Sequence, residues 1–232
     1  MLDIVIAGPA KNALGTEILQ SLRDQLAAAG DVPLLVRGEG DAFSAGLNLK
    51  EVIAADGAHL GRFLDLLHEV VIGLFRHPAP TVAAVTGHAI AGGGIVARAC
   101  DHAVATTDPK TRIGLNETAI GLQFPPRLLD MVRSRLPRRF HYEVLLGGAL
   151  MSPVDALRTG LVDELADDAL SVARQRLEAL AGHPRATYAA NKAMLQGRTG
   201  LADPVAEQRF LDDVLPSWSS PELKARLQAL LK

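Results

Sequence analysis

A run of three glycines is the first feature of this sequence that suits chemistry. Gly92, Gly93 and Gly94 directly precede a short apolar helix candidate. Glycines at the mouth of a helix expose backbone N–H groups, which favour a negatively charged oxygen. Residues 43–48 form a second turn that enters a helix, so two N–H donors from two loops can build an oxyanion hole for a polarised carbonyl group. The glycines alone are better explained by tight turns and close helix packing.

One glutamate stands in apolar surroundings. Glu117 has Ile113, Leu115, Ile120 and Leu122 as its near neighbours in the sequence. Apolar surroundings disfavour the charged carboxylate and raise its pKa, which makes the group a better proton shuttle near neutral pH. A carboxylate that faces water at the end of a helix is the alternative that a lone glutamate leaves open.

Nucleotide binding fits the triple glycine poorly. In a phosphate-binding loop, the lysine and the serine or threonine would fall on Gly93 and Gly94. In a dinucleotide-binding turn the first glycine follows the strand at once, whereas here five residues intervene after Val85 and Thr86. We therefore expect neither an NTPase nor a nucleotide cofactor.

Other chemically active side chains lack partners in the sequence. Ser44 and Cys100 have no neighbour that would activate a nucleophile, and Cys100 reads as a packed small hydrophobe. As the single cysteine it excludes an internal disulfide framework and a cysteine-cluster metal site. We expect no metal site, and we interpret His88 as structural.

Composition limits the class of protein further. The 232 residues carry 24 basic and 26 acidic side chains, a net charge of −2, and 48% are hydrophobic. This balance does not favour a nucleic-acid or membrane-surface partner, and it predicts a chain that buries a substantial core. The uncharged stretch at residues 77–97 is interrupted by prolines and glycines, so we interpret it as strand, turn and buried helix. We expect a cytoplasmic protein.

The elements that would hold these groups follow an α/β order. Strands are predicted at residues 2–7, 32–36, 81–85 and 103–106. Helices are predicted at residues 16–29, from about 47, and at 60–75, 95–100, 128–136, 140–146, 153–159, 169–181, 185–195, 204–215 and 221–231. A strand, a glycine-rich turn and a helix occur twice in the first half, which favours α/β layering. The second half is predicted to be nearly all helix, with a boundary near residues 147–165.

Together these segments resemble a known family. Residues 43–50, 87–94 and 114–117 resemble the enoyl-CoA hydratase/isomerase (crotonase) superfamily, and residues 12–14, 146–148 and 152–163 add to the likeness. The resemblance implies an α/β fold: a spiral of ββα units over residues 1–150 that carries the acyl-CoA site. It also implies a helical C-terminal region over residues 151–232, used for assembly into a homotrimer or a dimer of trimers.

The resemblance assigns roles to individual residues. The two oxyanion N–H groups fall on Leu47 and Gly93, and one catalytic glutamate falls on Glu117. The other glutamate of the family's hydratases falls on Val96, so one of the two carboxylates is absent. Ala45, Leu49, Gly92 and Asn116 complete the predicted substrate-binding set.

A single carboxylate favours isomerisation over hydration. Moving a double bond from C3 to C2 needs one base and an oxyanion hole, whereas hydration also needs a group that holds the water. The Asn116-Glu117 pair resembles the isomerases of the family. We therefore predict a Δ3,Δ2-enoyl-CoA isomerase whose substrate is a coenzyme A thioester and which uses no other cofactor.

Two alternatives remain open. The first is another crotonase reaction: weak hydration, acyl-CoA hydrolysis or decarboxylation. The family's hydrolases carry an acid shortly after the segment that begins at Glu117, and residues 123–126 offer none. The second is a non-catalytic acyl-CoA-binding member. Val96 and a first hairpin that is shortened relative to the family pattern motivate this alternative.

Overall fold

The strands form two parallel sheets. The computed structural model describes residues 1–201 and 203–231. Its strands are β1 (Leu2–Ile6), β2 (Leu34–Gly38), β3 (Ala42–Ser44), β4 (Thr81–Val85), β5 (His88–Ile90), β6 (His102–Thr106), β7 (Ile113–Gly114) and β8 (Glu164–Ala166). The larger sheet has five strands in the order β1-β2-β4-β6-β8, and the smaller has three in the order β3-β5-β7.

From β2 onward, successive strands alternate between the two sheets. β2, β4 and β6 lie in the larger sheet, and the strand that follows each of them lies in the smaller one. The registers place Val36 beside Ala83 and Ala84 beside Val104 in the larger sheet, and Ile90 beside Gly114 in the smaller sheet. Each unit of two strands is followed by a helix, so the chain winds as repeated ββα units.

Helices connect and cover the sheets. A single turn, α1 (Pro9–Asn12), has positive φ at Ala10, Lys11 and Asn12 and is therefore left-handed. The remaining α-helices are α2 (Thr16–Ala29), α3 (Leu49–Ala54), α4 (Gly57–Arg76), α5 (Gly92–Ala99), α6 (Glu117–Ile120), α7 (Pro126–Arg135), α8 (Pro153–Thr159), α9 (Ala169–Ala181), α10 (Arg185–Gln196), α11 (Pro204–Arg209) and α12 (Pro221–Ala229).

Both faces of the larger sheet are buried. Leu34 and Val36 of β2 point into the main core with α2, α4 and α5, whereas Leu35 points to the opposite face. There Ala173 and Leu177 of α9 cover Leu35 and its neighbours on β4 and β6. A parallel sheet covered on two faces explains the continuous apolar runs of its strands.

The short strands were not predicted. β3, β5 and β7 have only two or three residues each, in glycine-containing segments, so the sequence offers no period-2 pattern there. β8 corrects the prediction that the second half is nearly all helix. This edge strand pairs with β6, and its Glu164 bonds His102 and Arg176 instead of packing in the core.

Most predicted helices are confirmed, with shifted ends. Residues 16–29 and 169–181 are helical over the predicted spans. Ser152 caps α8 by accepting from the N–H of Asp155, and Gly160 follows with a φ of 81°. The helix expected from about residue 47 begins at Leu49, because Asn48 caps it. β2 begins at Leu34 rather than Val32, since Pro33 cannot donate to a neighbouring strand.

Two predicted α-helices have other backbone geometries. Residues 140–146 combine a 3₁₀ turn at Arg138–Phe140 with a π-helix at Tyr142–Leu146. Residues 204–215 begin as α11 and continue as a π-helix at Phe210–Val214, with a 3₁₀ turn over Leu215–Ser219. Side-chain periodicity does not separate these windings from an α-helix over one or two turns. In the part of the chain that is described, no helix combines the length and apolar character needed to cross a bilayer.

Candidate active site

Three loops meet at one edge of the smaller sheet. β3, β5 and β7 are parallel neighbours, so their carboxyl ends lie side by side. Residues 45–48 follow β3, residues 91–94 follow β5, and residues 115–117 follow β7. This arrangement brings the two predicted oxyanion segments and the predicted base to one region.

The first loop presents the backbone of Leu47. Gly46 has a φ of 87°, and a Cβ at this position would lie 2.7 Å from the carbonyl oxygen of Ile90. Leu14 brackets Leu47 from the other side, since its N–H donates to Gly46 O at 2.7 Å and its carbonyl accepts from Asn48 N at 2.9 Å. The peptide on each side of Leu47 is therefore fixed.

The triple glycine allows the second loop to approach the first. A Cβ on Gly93 would lie 2.5 Å from the carbonyl oxygen of Ser44, and one on Gly92 would lie 3.1 Å from the Leu47 side chain. Ala91, which precedes the helix, has a φ of 47°. Glycine is required here because two backbones touch, which confirms the close-packing interpretation without removing the chemical one.

The backbone N–H groups of Leu47 and Gly93, where the two loops meet, are available to donate hydrogen bonds. Gly93 is the second residue of α5, where an N–H has no intrahelical acceptor. Among the described residues, neither Gly93 N nor Leu47 N donates a hydrogen bond. N–H groups held by rigid backbone and left without acceptors can stabilise a developing oxyanion.

Glu117 lies in the third loop, as the first residue of α6. Its side chain is 6% exposed, and burial raises the pKa of Glu117 to about 8. Within the described part of the chain, its Oε2 has no hydrogen-bond partner. The adjacent Gly94 packs against this loop, since a Cβ there would lie 3.0 Å from the Leu115 side chain. The alternative of a glutamate facing water is thus wrong.

Asn116 lies beside Glu117 and has an unsatisfied acceptor. It occupies the N-cap position of α6, but its side chain makes no capping hydrogen bond. Its buried Oδ1 has no partner among the residues that the structure describes. A bound molecule with a hydrogen-bond donor would satisfy this oxygen.

A second carboxylate is missing on α5. Val96 is fully buried in the main core, and its carbonyl accepts a weak bond from the Cys100 thiol at 3.8 Å. Burial raises the pKa of Cys100 to about 12, so this thiol is a packing group and not a nucleophile. Of the two positions at which the family resemblance predicts a glutamate, 96 and 117, the second alone carries a carboxylate.

The remaining predicted substrate residues lie around the first loop. Ala45 and Leu49 are half-buried on either side of Leu47, and Gly92 is buried against it. Their roles toward a substrate stay predictions.

Sequence reasoning missed the residues that brace this loop. Ser44 Oγ donates to Asn12 O at 2.8 Å and accepts from Gly46 N at 3.2 Å. The Asn12 amide donates to the carbonyls of Glu39 and Ala42, both at 2.9 Å. A buried asparagine with positive φ has no local pattern in the sequence, because its partners lie some 30 positions away.

His88 is structural, as predicted. Its Nδ1 accepts from Arg112 N at 2.9 Å, which links β5 to the segment before β7. Over residues 1–201 and 203–231, no group of three or more His, Cys, Asp or Glu side chains is arranged to hold a metal ion.

Comparison with known proteins defines the class. A sequence model described as enoyl-CoA hydratase/isomerase matches residues 1–215, and the chain therefore belongs to this family. The crotonase-like α/β fold predicted from the sequence is confirmed.

Particular relatives are similar to most of the chain. It is 33% identical over 172 residues to the mouse (Mus musculus) protein named enoyl-CoA delta isomerase 1, mitochondrial. The aligned region covers 73% of this chain and 59% of that relative. It is 30% identical over 203 residues to the rat (Rattus norvegicus) protein named enoyl-CoA hydratase domain-containing protein 3, mitochondrial, and the aligned region covers 82% of this chain and 65% of that relative. The crystal structure of human mitochondrial delta3-delta2-enoyl-CoA isomerase superposes with a TM-score of 0.88 at 26% identity. The superposition covers 97% of this chain and 90% of that structure. The chain thus matches about three fifths of the length of the mouse relative.

Proposed function

We propose that this chain shifts the double bond of an enoyl-CoA from C3 to C2, with Glu117 as the single base. The observation that supports this most is the isolation of Glu117. Its carboxyl group is buried and has a raised pKa, and among the described residues its Oε2 has no hydrogen-bond partner. Glu117 follows β7, the neighbour of β5, and β5 leads into the helix that contains Gly93. The similarity to proteins named isomerases also supports it.

The reaction follows from these groups. The ionised Glu117 takes a proton from C2, and the electrons of that C–H bond delocalise to the thioester oxygen and give a dienolate. The N–H groups of Leu47 and Gly93 hold the oxyanion. The protonated Glu117 then gives the proton to C4 as the electrons return, so that the C2–C3 double bond forms and the C3–C4 double bond is lost. Atoms and charge balance without water.

A raised pKa suits both halves of this cycle. A base with a pKa near the working pH is strong enough to accept the proton and, once protonated, acidic enough to release it. The same apolar surroundings keep bulk water away from the dienolate. A second carboxylate would be needed to hold and activate water, and Val96 stands in its place.

Product identity tests the proposal. The pure protein is incubated with a 3-enoyl-CoA, and the products are separated and weighed by mass spectrometry. A 2-enoyl-CoA of unchanged mass is expected. A product heavier by one water would favour hydration, free coenzyme A would favour hydrolysis, and tight binding of acyl-CoA without any product would favour a non-catalytic member. Each of these three results contradicts the isomerase assignment.

We also propose that residues 151–232 assemble the protein into a homotrimer or a dimer of trimers. Exposed apolar side chains on these helices support this, with Val154 at 68%, Met194 at 80% and Leu195 at 89% exposure. Light scattering coupled to gel filtration is expected to give three or six times the chain mass of 24.6 kDa. A single-chain mass at micromolar concentration would contradict the proposal.

A further inference from the structure

The carboxylate of Glu51 joins three segments next to the Leu47 loop. Glu51 lies on α3, and its Oε2 accepts from the backbone N–H of Thr16 at 3.0 Å. Its Oε1 accepts from the Thr16 hydroxyl and lies 2.8 Å from Nε2 of His59. Thr16 begins α2 and His59 lies in the first turn of α4. One side chain therefore fastens the starts of two helices to a third.

Helix α2 depends on this distant carboxylate for its cap. Its N-cap residue is Gly15, which has no side chain to accept from the first N–H groups. Glu51 takes that role, and a Cβ at Gly15 would lie only 2.6 Å from Glu51 Oε2. A carboxylate at the positive end of a helix dipole is well placed.

The same connection reaches the peptide of Leu47. Residues 14–16 bond the loop at its start through Leu14 and bond α3 through Thr16. Asn48 closes the arrangement, because its side chain accepts from Glu51 N at 3.4 Å. The Leu47 N–H thus lies between two hydrogen bonds, at Gly46 O and at Asn48 N, that both join the loop to the backbone of Leu14.

Glu51 keeps its charge in this position. Burial alone would raise the pKa of its carboxyl group, but hydrogen bonds from Thr16 and His59 hold that pKa below its usual range. The side chain is 21% exposed. An ionised carboxylate makes stronger hydrogen bonds than a neutral amide of the same shape.

We propose that Glu51 is a positioning residue for the oxyanion hole, which aims the Leu47 N–H by fastening Thr16 and His59 to α3. It acts through the backbone and does not touch the substrate. The inference rests on the proposed function, since it concerns the same oxyanion hole. A misdirected donor weakens polarisation of the thioester carbonyl and stabilises the dienolate less, so kcat is affected more than KM.

The test observes the carbonyl directly. A saturated acyl-CoA, butyryl-CoA labelled with ¹³C at the thioester carbon, is bound to the wild type and to Glu51→Gln and Glu51→Ala. In the wild type the carbon resonance moves downfield on binding. The movement is expected to be smaller in Glu51→Gln and smallest in Glu51→Ala. With a 3-enoyl-CoA, kcat of Glu51→Ala falls about tenfold while KM changes less than about threefold.

A matched control removes the same charge from the same helix end. Glu17 is exposed in the first turn of α2, and Glu17→Gln is expected to keep the wild-type resonance and kcat. If Glu51→Ala folds poorly, Thr16→Val removes only the hydroxyl partner and should reduce the carbonyl shift. Thr16→Ser keeps the hydroxyl and should retain the shift.

The outcomes separate this inference from the proposed function. Butyryl-CoA cannot isomerise, so a carbonyl shift that Glu51 variants reduce supports the positioning role even if no 3-enoyl-CoA is turned over. Wild-type shift and kcat in a folded Glu51→Ala overturn it, even when isomerase activity is present. Absence of any shift in the wild type overturns it too.

Discussion

Glu117 is the residue on whose environment the proposed reaction depends. Over residues 1–201 and 203–231 no cation compensates its buried carboxyl group and no partner bonds its Oε2, and burial raises the pKa of Glu117. A group of this kind is costly for folding and useful for proton transfer. Structural glutamates of this chain differ, because Glu51 and Glu164 are bonded to threonine, histidine or arginine side chains.

Replacing Glu117 by glutamine removes the base and keeps the shape. We expect kcat for isomerisation to fall about 10²- to 10⁴-fold, the usual contribution of a positioned general base. Steady-state kinetics with a 3-enoyl-CoA measures the change. The control is Glu178→Gln, an exposed position on α9, which should match the wild type. Full turnover in Glu117→Gln would rule out its role as base.

The pH dependence follows from the raised pKa of Glu117. The base must be ionised to begin the reaction, so kcat/KM is expected to rise with pH and level off above about 8. A profile measured between pH 6 and 9.5 checks this expectation. A flat profile over that interval would show that the general base is a group with an ordinary carboxyl pKa.

The same shift predicts an effect on stability. The folded state holds a proton on Glu117 up to about pH 8, whereas the unfolded chain releases it near the ordinary glutamate pKa of 4.5. Between these values the folded state binds more protons, so its stability falls as pH rises. Glu117→Gln should therefore be as stable as the wild type at pH 5 and more stable at pH 9, by roughly 1.4 kcal/mol for each pH unit that separates the folded and unfolded pKa values of Glu117. Thermal unfolding of both proteins at pH 5 and pH 9 measures this effect. The same stability difference between variant and wild type at the two pH values would contradict the prediction.

Among the elements, the junction between α5 and the β3 loop depends on glycine. The Cβ of an alanine at Gly93 would meet the Ser44 backbone, so Gly93→Ala must move the start of α5 away from the end of β3. We expect kcat to fall about 10²- to 10³-fold, as for loss of one oxyanion donor, and stability to fall by about 1–3 kcal/mol. Kinetics and urea unfolding measure the two effects.

A second glycine serves as the matched control for that substitution. Gly61 lies inside α4, and a Cβ there would meet nothing within 4 Å. Gly61→Ala is expected to stabilise the chain by about 0.5–1 kcal/mol and to leave kcat unchanged. Wild-type activity in Gly93→Ala would show that the closeness of the two loops does not matter for the reaction.

What the sequence predicted at this level was the long, apolar or well-capped elements. Thr16–Ala29 and Ala169–Ala181 have helical periodicity, and Thr81–Val85 is an uninterrupted β-branched and alanine run. The residues of the site could be named because their glycine turns and Glu117 resemble a family. The three short strands that align those turns could not be found, since β7 consists of two residues and is defined only by its neighbours.

In the molecule as a whole, two ion pairs with buried cations and partly exposed carboxylates attach the C-terminal half to the first half. Arg98 of α5 is 2% exposed and bonds Asp163 at 3.0 Å, and Asp163 also accepts from Ala103 N of β6. On α10, Lys192 is 8% exposed and bonds Asp101, which precedes β6. These contacts join residues some 60 to 90 positions apart. The local order of residue types within one segment therefore could not predict them.

Removing Asp163 tests this attachment. Asp163→Ala leaves Arg98 buried without its counter-charge, and we expect a loss of about 2–4 kcal/mol in the free energy of unfolding. Asp24→Ala breaks the exposed pair with Arg23 and should change stability by less than about 0.5 kcal/mol. Chemical denaturation measures both variants. Similar small losses in the two would mean that the Arg98 pair adds nothing to the connection between the halves.

The path of a single proton tests the central claim most directly. A 3-enoyl-CoA carrying deuterium at C2 is converted in ordinary water, and early product is examined by NMR for deuterium at C4. If Glu117 carries the proton from C2 to C4 in a site closed to water, part of the label is found at C4, and Glu117→Gln forms no such product. Product that contains only solvent hydrogen at C4, or label transfer that persists in Glu117→Gln, would contradict the account.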